Sequence, residues 1–425
     1  MKTSLLLISG LVSSALGNVV SSQTFLPSKN RGLLSQLYGE VMEAHDGLDD
    51  FQSQHIASFE LDDSEDPEFQ AMCGFYEQSP AKYPDDDLSS DLQLFSGIVS
   101  FAHVPMARCF EQRSSKKAPK YDIAIVGAPF DTSVSYRPGA RFGPNSLRQG
   151  SRRLGGGYLP VRGFPGSKLR QLDPYNAGYK IVDCGDVPMT PFDNRIALNQ
   201  LYRGQRAIYN KTTVKDGLKV PKVITLGGDH TVTLMALRAA YEHNGPVAVI
   251  HFDSHIDTWD PRVLGGGITK TQSINHGTFL HFAHEWGYLA AEKSMHVGIR
   301  APFIMKSDEK HDQDCGFEKI VARDFDILGF KEIVKKIKER VADLPVYITV
   351  DIDVLDIAVA PGTGTPEPGG LTSRELLTVL DGLEGLNVIG ADVVEVSPAF
   401  DSNGEITSIV AAQVVDSFLG LMTVN

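Results

Sequence analysis

Apolar residues along the chain fall into two patterns. Seven short, almost unbroken apolar runs read as strands: YDIAIVGAP, YKIVDCGD, PKVITLGGDH, PVAVIHFDSH, MHVGIR, PVYITVDID and NVIGADVVEVSP. Runs without polar alternation mark strands buried on both faces, as in a parallel sheet. Between them apolar residues recur at helical spacing: Val232, Met235, Ala236 and Ala239, closed by Asn244-Gly245, and then Phe330, Ile333, Val334, Ile337 and Val341. Thr372 with Glu375 makes a capping box ahead of Leu376, Leu377, Leu380 and Leu383. Strands alternating with helices predict one α/β domain with a mainly parallel sheet over residues 121–425, with no fixed repeat and no internal boundary.

Ahead of that domain the pattern breaks. Residues 18–120 are acidic, rich in Asp and Ser (LDDSEDPEFQ, YPDDDLSSD) and poor in periodic apolar positions. They are expected to form a partly disordered extension that merges into the domain past the basic QRSSKKAPK loop. Residues 1–17 carry one Lys, an apolar stretch from Leu5 to Val12 and the small-residue Ala15-Leu16-Gly17, which reads as a secretory signal with Asn18 as the first mature residue. No later apolar run long enough to span a bilayer is evident, so the chain is expected in the secretory-pathway lumen or outside the cell, with no membrane partner.

Composition narrows the function. With 425 residues, 42% hydrophobic and 22% charged, the chain has ordinary globular make-up, enough for one large domain. Its net charge of −13 argues against nucleic-acid binding and tolerates a cationic small substrate. Cys73, Cys109, Cys184 and Cys315 are too scattered for a zinc motif and leave three full disulfide pairings open; Cys184 reads as packing at a strand end. Asn210-Lys211-Thr212 is a glycosylation sequon fit for a surface position.

Polar residues gather at the carboxyl ends of the predicted strands, where parallel α/β sheets bind ligands: Asp229 and His230, then Asp253, His255 and Asp257, then Asp351 and Asp353, then Glu395. In an extended segment, residues at i, i+2 and i+4 project to one side, so Asp253, His255 and Asp257 are expected to converge, as are Asp351 and Asp353. Buried carboxylates at that density need neutralising. Two divalent cations sharing bridging carboxylates would supply the charge, and mixed oxygen and nitrogen donors without thiolate favour manganese-like ions over structural zinc.

The motifs GGDH at Gly227 to His230, DSHID at Asp253 to Asp257, SINHGT at Ser273 to Thr278, DIDVLD with APGTGTPEPGG from Asp351 to Gly370, and EVSP at Glu395 to Pro398 closely resemble the ureohydrolase (arginase and agmatinase) family. GAPFD at Gly127 to Asp131 and RPGARFGP at Arg137 to Pro144 look like its agmatinase branch. The resemblance implies a three-layer α/β/α arginase-like fold and two Mn2+ per subunit. It implies one ion on His230, Asp253, Asp257 and Asp351 and the other on His255, Asp253, Asp351 and Asp353. Such a pair, about 3.5–4 Å apart, turns water into hydroxide near neutral pH, which would attack a guanidinium carbon to give urea and an amine. By the same resemblance Asp257 also contacts the nucleophile, His276 shuttles a proton to the leaving amine, and Glu395 grips the guanidinium. A homo-oligomer, trimer or hexamer, is the family habit.

The reading is therefore an agmatinase-like hydrolase taking agmatine to putrescine and urea. The alternatives are a 4-guanidinobutyrase or another guanidino-compound ureohydrolase, a non-catalytic metal-binding secreted protein, and a single-zinc deacylase on the related fold, against which Asp353 and Glu395 argue. Trp259 either lines the pocket for the substrate tail or packs, and Arg137 and Arg141 either contact substrate or follow their Pro and Gly neighbours. His243, His281, His284, His296 and His311 lie outside the motifs and read as surface or structural. Ser254, Ile256 and Ile357 depart from the commoner Ala, Thr and Pro without removing a ligand.

Overall fold

The computed structural model describes residues 95, 97–111, 118–157, 159–265 and 270–424, within one compact unit spanning Leu92–Asn425. The leader and the acidic extension up to residue 94 lie outside the described residues. Residues 97–111, assigned from sequence to the extension, pack on the domain: Phe101 is fully buried, and Met106 pairs with Asp183. Cys109 and Cys184 form a disulfide across a separation of 75 residues, while Cys315 is free and buried. Closing a loop of that length adds on the order of 2–4 kcal/mol.

Among the described residues, eight strands form one wholly parallel sheet: β1 (Ile123–Gly127), β2 (Ile181–Asp186), β3 (Lys222–Leu226), β4 (Ala248–Phe252), β5 (Ser294–Ile299), β6 (Phe317–Val321), β7 (Val346–Asp351) and β8 (Val388–Val394). Their spatial order is β2-β1-β3-β8-β7-β4-β5-β6. Strand β6 is the one the sequence patterns miss, because as an edge strand it exposes Glu318 and interrupts the apolar run.

Alternate residues of the strands feed two separate cores. Ile123, Ile125, Ile250 and Phe252 enter one; Ala124, Val126 and Val249 enter the other. The first core is closed by helices α6 (Asp324–Val341), α7 (Ser373–Gly382) and α8 (Ile406–Thr423), the second by α2 (Asn194–Tyr209), α3 (Val232–Asn244) and α4 (Phe279–Glu285). Two short helices, α1 (Gly143–Gly150) and α5 (Asp308–Asp314), complete the set discussed below. The result is the expected three-layer α/β/α arrangement.

The capping box of α7 forms as expected, Thr372 and Glu375 exchanging bonds at both backbone N–H groups. Helix α6 reaches further back than its apolar spacing suggests and kinks at Gly329, whose φ is 72°. One expectation is overturned: among the described residues, α8 has the length and apolarity of a membrane span. It is apolar nearly all round because it is a core helix, with Ala411, Val414, Val415, Phe418 and Leu419 fully buried against β8, α1 and α7.

Lys222 starts β3 and its Nζ donates to the Met422 carbonyl of α8 at 2.9 Å; burial pushes its pKa from 10.5 down to about 8. Between those values the folded chain has released a proton that the unfolded chain still holds. Stability contributed by this group therefore rises with pH across that window, by on the order of 3 kcal/mol, and is absent below it. Lys222→Met is expected to flatten the Tm-versus-pH curve between pH ~8 and ~10 relative to the parent chain, measured by calorimetry; parallel curves would show that Lys222 keeps an ordinary pKa.

Candidate active site and metal centre

The four central strands, β3, β8, β7 and β4, are neighbours, and their carboxyl ends deliver the residues singled out from sequence. Gly227 and Gly228 follow β3; a Cβ on Gly228 would stand 1.9 Å from the Phe130 carbonyl and 2.7 Å from that of Ala128, so only glycine lets the two segments close there. Asp229 and His230 come next, beside Glu395, whose backbone N–H donates to the Gly228 carbonyl.

The convergence is real, but its local geometry differs from extended alternation. Strand β4 stops at Phe252, and Asp253 Oδ1 accepts the His255 N–H at 2.6 Å, turning the chain. Asp257 follows in the left-handed region with φ 50°, as does Glu395 with φ 61°. Similarly Asp351 ends β7 and Asp353 lies in a short 3-10 turn whose N–H donates to Asp351 Oδ1. Carboxylates that satisfy the N–H groups freed at the strand ends replace the sheet ladder. Left-handed non-glycine residues cost about 1–3 kcal/mol each and concentrate at functional sites.

His230 Nδ1 is ringed by Asp257 Oδ2 at 3.0 Å, Asp253 Oδ2 at 3.1 Å and Asp351 Oδ2 at 3.4 Å, all buried. Behind the ring, the Thr349 hydroxyl donates to Asp392 Oδ1 and so accepts from His230 Nε2 at 2.7 Å. That line puts a proton on Nε2 and turns Nδ1 towards the carboxylates. A second group is built on His255, whose Nδ1 lies 3.2 Å from Asp253 Oδ1 and 3.1 Å from Asp353 Oδ2. Asp253 thus faces both groups, one oxygen to each. Buried His230 Nδ1 and Asp253 Oδ2 have no hydrogen-bond partner although charged groups crowd them. Donor atoms about 3 Å apart match adjacent ligands of an octahedral ion held at roughly 2.1 Å, so this donor set fits two divalent cations.

The carboxylates repel one another. Burial and Asp253 push Asp257 up to about 6; burial with Asp353 and Asp253 raises Asp351 well above the ordinary range; burial with Asp253 raises Asp353. Burial also opposes the charge on Asp253, but His251, His230 and His255 hold it well below that range. Burial and Glu395 push Asp229 up to about 7, while it accepts the N–H groups of Ser133 and Thr231.

Glu395 and His276 meet at the edge of this centre. Glu395 Oε1 accepts the His230 N–H at 2.9 Å and lies 3.1 Å from His276 Nδ1. His276 Nε2 accepts the Ser135 N–H at 3.0 Å and lies 2.8 Å from the Ser135 hydroxyl. Burial disfavours a charge on His276, yet Glu395, Asp257 and Asp229 raise its pKa. A backbone N–H needs a lone pair, however, so in this arrangement the ring is neutral with its proton on Nδ1. Gly364 lets the Arg137 carbonyl approach closely, since a Cβ there would come 2.7 Å from it, and it borders Glu395, whose Oε2 would lie 3.7 Å from that Cβ.

Several supports escaped the sequence reading. His251 Nδ1 and His296 Nδ1 lie 2.7 Å apart, His296 Nε2 is 2.9 Å from Asp312 Oδ1, and Thr258 donates to the same oxygen, while His251 Nε2 lies 3.0 Å from Asp253 Oδ2. Burial drives His251 down to about 3, so it is neutral. Its position two residues before Asp253 was the available signal; its partner His296 is a cross-strand neighbour and could not be paired from sequence. Thr349 and Asp392 are likewise cross-strand partners.

Ser254, the departure from Ala, donates to Asp353 Oδ1 at 2.7 Å, and the Arg300 guanidinium donates to the carbonyls of Asp353 and Glu367 at 2.6 and 2.7 Å, pinning that loop. Trp259 packs: it is buried with Ile256 and Ile299, and its indole N–H donates to Asp308. Arg141 is bound to buried Asp131, and the Arg137 guanidinium lies 4.9 Å from the Tyr136 ring and 5.2 Å from the Phe400 ring.

A three-layer sheet enzyme with acidic and imidazole donors at its central strand ends is the class that fold and site define. Residues 121–420 match the model of the arginase family. The chain is 43% identical over 373 residues to "Putative agmatinase 1" of Schizosaccharomyces pombe, covering 83% of this chain and 91% of that protein. It is 35% identical to an agmatinase of Proteus mirabilis, covering 78% and 95%. The solved structure of proclavaminate amidinohydrolase from Streptomyces clavuligerus superposes with a TM-score of 0.66 at 34% identity, over 78% of this chain and 99% of that one. The chain belongs to the arginase family, and it is a hydrolase of the ureohydrolase class acting on guanidino compounds.

Because Asp253 serves both groups, Asp253→Ala is expected to weaken metal uptake at both positions together, beyond the ~10–100-fold seen when a residue behind a ligand is changed. Metal content after dialysis against graded Mn2+ measures this, and a variant retaining two ions would refute the shared role.

Proposed function

We propose that the chain is a manganese-dependent agmatinase, hydrolysing agmatine to putrescine and urea, with His230, Asp253, Asp257 and Asp351 holding one ion and His255, Asp253, Asp351 and Asp353 the other. The observation that carries the reading is Asp253, with one oxygen turned to each histidine-centred group. Four carboxylates match the charge of two divalent cations, and Glu395 is left for the cation of the substrate. An oxygen-rich donor set without thiolate favours manganese. When bound, two such ions supply hydroxide near neutral pH.

The chain's own residues do the rest. Glu395 spends Oε1 on His230 and His276 and turns Oε2 to the space beside Gly364, where it would pair with the guanidinium and orient its carbon. His276 holds a proton on Nδ1 and meets the exposed Ser135 hydroxyl at Nε2, which gives protons a path between the leaving amine and solvent. The likeness to named agmatinases at 35–43% identity supports agmatine as substrate, as does the acidic field of the chain. A second reading, a guanidino acid such as 4-guanidinobutyrate, is favoured by Arg137, a cationic residue whose carbonyl borders Gly364 beside Glu395 and whose guanidinium lies over the Tyr136 and Phe400 rings.

We also propose a secretory location. Support comes from the signal-like residues 1–17, from the Cys109–Cys184 disulfide, a bond rare in reducing compartments, and from the exposed Asn210 of the sequon.

Urea release by the manganese-loaded chain, with agmatine, 4-guanidinobutyrate and arginine side by side, is expected to favour agmatine; preference for the guanidino acid would transfer the assignment to the second reading, and no urea from any would overturn both. His276→Ala is expected to keep both metals and lose about 10²–10⁴-fold in kcat. Unchanged turnover in that variant would remove His276 from the reaction.

A further inference from the structure

Away from the catalytic centre, a second group of metal-binding side chains lies between two helices. His311 and Cys315 are four residues apart, so α5 and its C-terminal cap present both on one side, and His281 meets them from α4. His281 Nδ1 is 3.1 Å from His311 Nε2, and Cys315 Sγ is 3.8 Å from that same nitrogen. All three donor atoms fall within 4.8 Å of one another. A tetrahedral ion about 2.0–2.1 Å from nitrogen and 2.3 Å from sulfur sets such ligand atoms roughly 3.3–3.6 Å apart, a range that the 3.1 and 3.8 Å separations bracket.

The surroundings are those of a ligand group. His281 Nε2 lies 3.5 Å from Oε2 of the exposed Glu285, a carboxylate of the kind that serves as outer partner to a metal-binding imidazole. Cys315 is unpaired and buried, while His281 and Glu285 line an open cleft with Trp286, which gives an ion a way in. We propose that His281, His311 and Cys315 form a separate three-ligand site for a zinc-class divalent cation, with the fourth position left to water. Coordination replaces the S–H bond by a sulfur–metal bond, and the thiol proton leaves to solvent. Two imidazoles and a thiolate select zinc over manganese, the opposite preference to the carboxylate centre, so one chain sorts two kinds of metal.

The ion would join two supports of the catalytic centre. Helix α4 follows His276 closely, and its Leu280 N–H donates to the Asp257 carbonyl at 3.1 Å; α5 carries Asp312, which ends the His296 and His251 line. The site does not depend on which guanidino compound is the substrate.

The test is a Co2+ titration of the full, manganese-loaded chain, followed by competition with Zn2+. One further equivalent is expected, with a near-ultraviolet thiolate-to-cobalt charge-transfer band that the thiolate-free catalytic centre cannot give and that Zn2+ abolishes. Cys315→Ser and His281→Gln, on different segments, are each expected to lose the band while manganese content and urea release stay at parental levels. No band in the parent chain, or a band persisting in either variant, overturns the assignment.

Discussion

Four aspartates, 253, 257, 351 and 353, are brought together in a buried place at the ends of adjacent strands, and their mutual repulsion is the constraint on which the site depends. Burying one unpaired carboxylate is costly, and gathering several is tolerable only with compensating charge. The His230 ring, with its proton on Nε2 towards Thr349, meets them with a lone pair and adds no charge. Four carboxylates therefore call for cations, and the chain's family is one of hydrolases, whose water such cations can activate.

What keeps the carboxylates aimed is a set of hydrogen-bond lines running back into the sheet. His230 is fixed through Thr349 to Asp392 and Tyr347, His251 through His296 to Asp312. Both lines cross from strand to strand at positions paired in register, so the parallel ladder itself sets the ring orientations. Left-handed Asp257 and Glu395 are held where these lines and the central strand ends meet, and the strain they carry is borne by two well-packed cores.

The same architecture separates tasks by distance from that centre. Glu395 and His276 stand at its edge, bound to each other and, through His276, to exposed Ser135. Residues 97–111, tied down by the Cys109–Cys184 bond and by Phe101 in the core, extend the domain on the side of β2, away from the four strands that build the site.

Much of this was legible in the sequence. Seven of the eight strands, the capped helix at Thr372 and every residue of the acidic cluster could be read from apolar runs and motif spacing, because those signals are local: a strand buried on both faces must be apolar, and its end is where polar residues first become affordable. The edge strand at Phe317, the all-round apolar helix at Ile406 and the packed role of Trp259 were not, since each depends on what lies across from it. Nor could residue spacing show that Asp253 divides its oxygens between His230 and His255, that His251 meets His296, or that His281 meets His311 and Cys315. The sequence by itself determined which donors the chain owns and the elements that carry them; only the tertiary structure decided which face each other, because partners separated by tens of residues are chosen by strand order and register, not by the chain between them.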